Sequence, residues 1–284
     1  MNQLLKRTLS GALFLALMLA GLLLGEFTWL GLMSAIMACC FLEYYRLAVP
    51  GRFAAAKKCV AFAALAFLAV AFACVRFALP TKWLLLCLLP VLVAMVLMIF
   101  NCSKDYGFSA EVFFPLIYIA FPIVSSLFLV FPWGEGEYTP WVMLSLFAMI
   151  WLNDIGAYLI GMAFGQRENS AKLFPAISPK KSWVGVLGGT AFTFLAAWGV
   201  SALWSRSLVL SLAVPAYYWW ILAAVVSVLG VLGDLFESLL KRQAQVKDSG
   251  SIIPGHGGIL DRFDDVLFIL PVAAAILKFI IELC

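Results

Sequence analysis

Between Asp234 and Asp265 the chain gathers five aspartates, four lysines or arginines and its only histidine within 32 residues of an otherwise apolar sequence. Carboxylates and cations at that density have the chemistry of a site for a polyphosphate and a divalent metal ion. On a helix, Asp234, Glu237, Ser238 and Lys241 fall at i, i+3, i+4 and i+7 and share one face. Asp234 lies two turns inside the apolar stretch that ends near Leu240, where an ionised carboxylate costs about 2.5–3.5 kcal/mol on insertion scales. It should therefore be paired, hydrated or bound to a cation. Lys247 and Asp248 follow, then Pro254-Gly255-His256-Gly257-Gly258, whose glycines let backbone N–H groups approach an anion closely. Asp261, Arg262, Asp264 and Asp265 open the last apolar run. Hard oxygen donors without a cysteine or histidine cluster suit Mg²⁺, which keeps some waters and takes other ligands from phosphates.

A second constellation precedes the first. Trp151-Leu152-Asn153-Asp154 and Gly156-Ala157-Tyr158 lie inside an apolar run, and Ser178-Pro179-Lys180-Lys181-Ser182-Trp183 introduces the next. Asp154 is more than two turns from the end of its run, so a partner from the last helices is expected. The Ser-Pro-Lys-Lys-Ser stretch puts hydroxyls and two lysines at a helix N-terminus, where free N–H groups and the helix dipole favour an anion. Its plainer reading is a helix cap followed by membrane-flanking lysines.

The elements that must position these residues are membrane helices. The 284 residues are 65% hydrophobic and 12% charged, and the mean hydropathy is +1.05. Such a composition excludes a soluble domain of ordinary type. Runs long enough to cross about 30 Å of hydrocarbon recur throughout. They are read at 9–25, 27–48, 59–79, 83–100, 112–131, 140–164, 183–204, 216–240 and 263–281, which makes an all-α polytopic protein of about nine spans. The stretch Ser207–Pro215 reads as a short re-entrant piece or a loop. With the N-terminus in the cytoplasm, 15 of the 19 basic residues fall on cytoplasmic segments, leaving Arg76, Lys82, Arg206 and Lys278 for the far side. Segments 165–182 and 241–262 then share the cytoplasmic face because two spans separate them.

The basic start and long apolar run of the N-terminus read as an uncleaved first span. No repeat and no soluble domain is visible, so residues 1–284 are expected to form a single membrane domain, an N-terminal helical half (1–139) followed by a catalytic half (140–284). Seven scattered cysteines read as small apolar fillers. Trp29, Trp83, Trp133 and Trp219, near span ends, read as interfacial belts. Gly21/Gly25 and Gly161/Gly165 have the spacing of close helix packing. Glu237 is expected to turn towards water, and Arg242 and one of Lys180 or Lys181 to anchor at the interface.

Taken together, Ser238-x-x-Lys241-Arg242-x4-Lys247-Asp248-x5-Pro254-x-His256-Gly257-Gly258-x-x-Asp261-Arg262-x-Asp264 resembles the signature of the phosphatidate cytidylyltransferases, or CDP-diacylglycerol synthases. The likeness spans 27 positions of fixed spacing. Asn153-Asp154 with Ala157-Tyr158, and Ser178-Pro179-x-Lys181, are similar to two further blocks of that family in the same order. Ile155 and Val184 depart from it, standing where Thr and where Glu or Gln are expected, and neither is assigned a role. The first 140 residues match only as a string of membrane helices. The resemblance implies an all-helical fold and attack of phosphatidic acid on CTP, giving CDP-diacylglycerol and pyrophosphate, with Mg²⁺ and room for a second cation.

The chemistry can be reasoned beside that name. A phosphomonoester is largely a dianion at neutral pH and already a nucleophile, so no general base is obligatory. Catalysis reduces to holding nucleophile and phosphorus in line and neutralising charge. Asp234, Asp261 and Asp264 are assigned to metal, with Asp248 in reserve and Asp265 at most a cap. Lys241, Arg262, Lys247 and Lys181 are assigned to phosphate oxygens. Asn153, Asp154, Ser178, Ser238, Asp248, His256, Gly257 and Gly258 complete the substrate-binding set. The partners are CTP, phosphatidic acid and the bilayer, with a homodimer left open and no nucleic acid. Small size points to a bacterial inner membrane with a cytoplasmic active site. An ion-coupled transporter would also bury Asp154, Asp234 and Lys241, but near the midplane of two matching halves, which are not seen. A CTP-dependent polyprenol or isoprenoid-lipid kinase or cytidylyltransferase would share the nucleotide site and differ in its acceptor or in pyrophosphate release.

Overall fold

The computed structural model describes residues 3–49, 51–100, 109–134, 136–167, 170–206, 214–255 and 257–283. Nine helices are found among them. They are α1 (Gln3–Leu23), α2 (Glu26–Ala48) and α3 (Ala54–Phe77), then α4 (Thr81–Phe100) and α5 (Ala110–Val130), then α6 (Trp141–Phe164), α7 (Trp183–Trp204), α8 (Ala216–Gln243) and α9 (Leu260–Leu283). The seven from α2 to α8 are long and apolar enough to cross a membrane. The protein is an all-α polytopic membrane protein. Helices suit that setting because each satisfies its own backbone where water cannot. A short antiparallel hairpin, β1 (Lys172–Phe174) and β2 (Ser178–Ser182), lies between α6 and α7, in the charge-rich segment for which the sequence predicts no strand. Of Ser207–Pro215, only Val214 and Pro215 are among the described residues.

Polar contacts sort to the two ends of the bundle. At one end Ser10 Oγ donates to the Pro254 carbonyl at 2.9 Å, Arg242 Nε to the Ile177 carbonyl at 3.3 Å and Lys57 Nζ to the Val49 carbonyl at 2.8 Å. At the other, Arg76 pairs with Glu26 at 2.8 Å and Lys278 Nζ donates to the Pro132 carbonyl at 2.6 Å. Segments 165–182 and 241–262 therefore meet at one end, as the alternation of spans requires.

Helices α6 and α7 pack along a seam of small residues. A Cβ at Gly156 would lie 2.8 Å from the Gly188 carbonyl oxygen, and one at Gly189 2.7 Å from Asn153 Oδ1. Backbones this close fix the rotation of α6 and with it the direction of Asn153 and Asp154. The interfacial reading of Trp29 and Trp219 is overturned: they are 0% and 1% exposed. Trp29 packs on Phe147 with ring centroids 6.3 Å apart and Trp219 on Tyr218 at 5.1 Å. Their faces of α2 and α8 meet neighbouring helices, so burying a large ring there is worth more than anchoring it at the interface. Trp83 is 46% exposed.

Candidate active site

Helices α6, α7, α8 and α9 and strand β2 converge on one cavity of about 680 Å³. Gly233 lets α8 approach the first turn of α9, since a Cβ there would fall 2.9 Å from Asp265 Cα. That approach sets Asp234 beside Asp261, Asp264 and Asp265, while α6 supplies Asn153 and Asp154 and the end of β2 supplies Lys180 and Lys181. Tyr158, Met162 and Val231 form its apolar wall. Lys181 makes an ion pair with Asp234 across the cavity, and Ser238 Oγ donates to Asp234 Oδ1 at 3.3 Å. Asn153 is buried, with Oδ1 accepting from Thr193 Oγ1 at 3.1 Å. The charged neighbours of Asp154 include Asp234, Asp265, Lys181 and Arg262, so it faces the final helices as its depth demanded. Ser182 caps α7, its hydroxyl accepting from the Gly185 N–H at 3.2 Å.

Behind the wall lies a buried polar network. Lys241 pairs with Glu237 and donates to Asp261 Oδ1 at 2.7 Å. Asp261 Oδ2 accepts from the Ser249 N–H at 2.9 Å, the Ser249 hydroxyl at 2.9 Å and the Gly258 N–H at 2.8 Å. A Cβ at Gly257 would stand 2.7 Å from the same oxygen. The glycine-rich turn does bring its N–H to an anion, and that anion is the Asp261 carboxylate. The Gly258 N–H is thus committed within the chain and not offered to a substrate. Glu237 does not turn to water: it is 0% exposed. Its helix face meets α9, so the carboxylate is enclosed with its own counter-ion, the arrangement that makes a buried charge tolerable.

Of the residues singled out from the sequence, Asn153, Asp154, Lys181, Asp234, Asp261, Arg262 and Asp264 line the cavity. Ser238, Lys241 and Gly258 sit one contact behind it. Ser178, Lys247, Asp248 and Gly257 are not on its wall, and Lys247 and Asp248 are exposed. His256 lies outside the described residues. Asp265 and Lys180 line the cavity as well, although the sequence assigns Asp265 at most a cap and makes one of Lys180 or Lys181 an anchor. Glu43 of α2 also reaches this region, with its carboxylate accepting the N–H of Leu260 at 2.8 Å. Its signal was there to be read, a lone acid within the second apolar run.

Among the described residues, no three His, Cys, Asp or Glu side chains are drawn together tightly enough to hold a metal ion by themselves. Asp234, Asp261 and Asp264 share a cavity without forming a cage. The cavity nevertheless fits a hard cation. Five carboxyl groups (Asp154, Asp234, Asp261, Asp264, Asp265) and three cations (Lys180, Lys181, Arg262) lie on its lining. An open, oxygen-rich site is what Mg²⁺ arriving on a phosphate requires, since that ion is held by one or two carboxylates plus the substrate.

The chain is thus a multi-pass, all-α membrane protein with a carboxyl- and lysine-lined cavity among α6, α7, α8 and α9. The chain belongs to the cytidylyltransferase family, whose model matches residues 5–280. It is similar to the phosphatidate cytidylyltransferase of Staphylococcus aureus, 35% identical over 195 residues, covering 66% of this chain and 69% of that one. It is also similar to the phosphatidate cytidylyltransferase of Bacillus subtilis, 46% identical over 123 residues, 43% of this chain and 42% of that protein. The Haemophilus influenzae phosphatidate cytidylyltransferase is 41% identical over 130 residues, with the match spanning 46% of this chain and 43% of that protein.

Proposed function

We propose that this protein transfers a cytidylyl group from CTP to phosphatidic acid, releasing CDP-diacylglycerol and pyrophosphate. The observation that carries the reading is the cavity itself: residues from two blocks far apart in sequence, Asn153–Lys181 and Asp234–Asp265, line it together with carboxyl and cationic groups. The names of the relatives support the same substrates.

CTP and phosphatidic acid together bring about six negative charges, more than Lys180, Lys181 and Arg262 can offset, so cations must enter with them. Asp234, Asp261 and Asp264 would hold Mg²⁺, and a second cation would have room beside it. Bound there, the ion supplies charge neutralisation at the phosphate oxygens. The chain's own groups do the rest. Lys181 and Arg262 take phosphate oxygens, and Lys180 stands beside Lys181 on the same wall. Tyr158, Met162 and Val231 give an apolar surface to the lipid next to the charged floor. Lys241, held between Glu237 and Asp261, keeps Asp261 ionised and aimed. The lipid phosphate is a dianion, so positioning and electrostatics suffice without a protein base.

We further propose that the cavity opens to the cytoplasm in a bacterial inner membrane, where the excess of basic residues at that end would place it, and that no nucleic acid takes part. A homodimer is compatible with this reading and is not required by it. Pyrophosphate release from CTP by the purified protein, with and without phosphatidic acid, tests the proposal. Release that depends on phosphatidic acid supports it; phosphorylation of a polyprenol with CDP as product would replace it.

A further inference from the structure

Glu43 lies in α2, in the half of the chain that carries none of the motif residues, yet its side chain is 0% exposed and turned to the start of α9. Its Oε1 accepts from the Ile259 N–H at 3.1 Å. Its Oε2 accepts from the Leu260 N–H at 2.8 Å and lies 3.2 Å from the Ser249 hydroxyl. Helix α9 needs this help. The residues before it, Gly257-Gly258-Ile259, include no Ser, Thr, Asp or Asn to cap its first turn, so orphan N–H groups would otherwise be buried unpaired. A carboxylate from another helix satisfies them, at the end of the helix dipole where negative charge is favourable.

The surroundings are shaped for that carboxylate. A Cβ at Gly258 would stand 2.7 Å from Glu43 Cδ and one at Gly250 2.8 Å from it. Both glycines of the loop are therefore needed so that the backbone can close on Glu43. The Ser249 hydroxyl, 2.9 Å from Asp261 Oδ2, links the two carboxylates through one shared group.

We propose that Glu43 is a positioning residue for the catalytic segment. It fixes the first turn of α9 and, through Ser249, the Oδ2 side of Asp261, so that Asp261 Oδ1, Arg262 and Asp264 meet the cavity at a fixed spacing. The catalytic part of this inference rests on the cytidylyl-transfer reading; the structural part does not. The α2 helix thus acts on the reaction without touching substrate.

The test compares Glu43→Gln with the wild-type chain in lipid nanodiscs. The amide keeps size but offers one acceptor oxygen in place of two. Amide hydrogen exchange across residues 259–262 should quicken about tenfold or more, while exchange in the middle of α8 stays unchanged. Turnover should fall about tenfold or more with the KM for CTP held within about twofold, the split expected when a group acts through others and not on bound nucleotide. Glu26→Gln, which breaks the Glu26–Arg76 pair at the opposite end, should leave both readouts alone. If Glu43→Gln fails to fold, Ser249→Ala removes only the linking hydroxyl and should move both readouts in the same direction. Wild-type exchange and wild-type turnover in the variant that folds would overturn the proposal. If the wild-type chain itself shows no cytidylyl transfer, the functional reading fails while the exchange arm still decides whether Glu43 holds α9.

Discussion

Lys181 closes on Asp234 across the cavity, tying the end of the β-hairpin to the C-terminal half of α8. Each partner is also the group that the proposed reaction needs for a ligand of opposite charge, Lys181 for a phosphate and Asp234 for a cation. A nucleotide that brings its metal ion supplies both at once, so one ion pair is exchanged for two. A pair that must open in this way is not expected to survive reversal. The double variant Lys181→Asp with Asp234→Lys can remake the pair and should still lack turnover.

Lys181→Ala should raise the KM for CTP or phosphatidic acid and lower turnover, by about tenfold or more in kcat/KM, the scale of a lost charge-assisted contact. Lys57→Ala is the control. Lys57 donates to the Val49 carbonyl at 2.8 Å and lies 5.5 Å from the centre of the Tyr45 ring, away from the cavity wall. Equal kinetics for the two variants would sever the hairpin from the site.

Asp234→Asn and Asp261→Asn should each reduce turnover by about 10²-fold or more, since an amide keeps shape and loses the charge that neutralisation depends on. Their stabilities should differ. Asp234 meets Lys181 and Ser238 in a partly open cavity, so its amide variant should melt near the wild-type temperature. Asp261 holds Lys241, Ser249 and Gly258, and its amide leaves Lys241 with Glu237 alone. Melting in detergent should fall by several degrees for Asp261→Asn only.

The spans were legible because apolar length is an unambiguous signal, and the readings 183–204 and 27–48 meet α7 (Trp183–Trp204) and α2 (Glu26–Ala48) almost residue for residue. The lining of the cavity was legible for a different reason. An acid such as Asp154 or Asp234 inside an apolar run demands a partner, and fixed spacing on a helix says which face it uses. What escaped the sequence was the division between residues that face the cavity and those that hold them. Glu237 and Asp234 share a face by periodicity, yet one is sealed against α9 and the other opens on the cavity. Only the approach of α8 to α9 at Gly233 decides that, and it depends on tertiary packing. The glycine turn was read as an anion site for the same lack of context. Its anion turned out to be a side chain of the same segment.

Removal of divalent cations should abolish nucleotidyl transfer, and Mg²⁺ or Mn²⁺ should restore it. The three cationic side chains of the cavity wall, set among five carboxyl groups, cannot offset the charge of a polyphosphate, so binding needs a metal ion. CTP or its deoxy form should serve and ATP should not. Full activity in excess chelator, or an equal rate with ATP, would remove the metal-nucleotide reading.

Topology can be checked with single cysteines in a background lacking the native ones. Ile177 accepts from Arg242 at the end of the bundle where the hairpin meets α8, and Glu137 lies in the connection between α5 and α6 at the other end. An impermeant thiol reagent added outside intact cells should label Glu137→Cys and not Ile177→Cys. Inverted vesicles should reverse the pattern. Labelling of Ile177→Cys from outside would put the cavity on the wrong side for cytoplasmic CTP.

The glycine seam between α6 and α7 makes a prediction that separates packing from helix propensity. At Gly189 a Cβ would press within 2.7 Å of Asn153 Oδ1 and 2.9 Å of the Asn153 carbonyl oxygen, whereas at Gly199, on the same helix, it would meet nothing within 4 Å. Gly189→Ala must therefore push α7 off α6, at a cost of about 1–3 kcal/mol for overpacking, and it should turn Asn153 and Asp154 away from the cavity. Gly199→Ala gains the helix preference of alanine, about 0.8–1 kcal/mol in exposed helices, with no such displacement. The first variant should melt several degrees lower and lose most of its turnover. The second should melt at or above the wild-type temperature with turnover unchanged. If both variants behave alike, the close approach of the two helices does not set the position of Asp154.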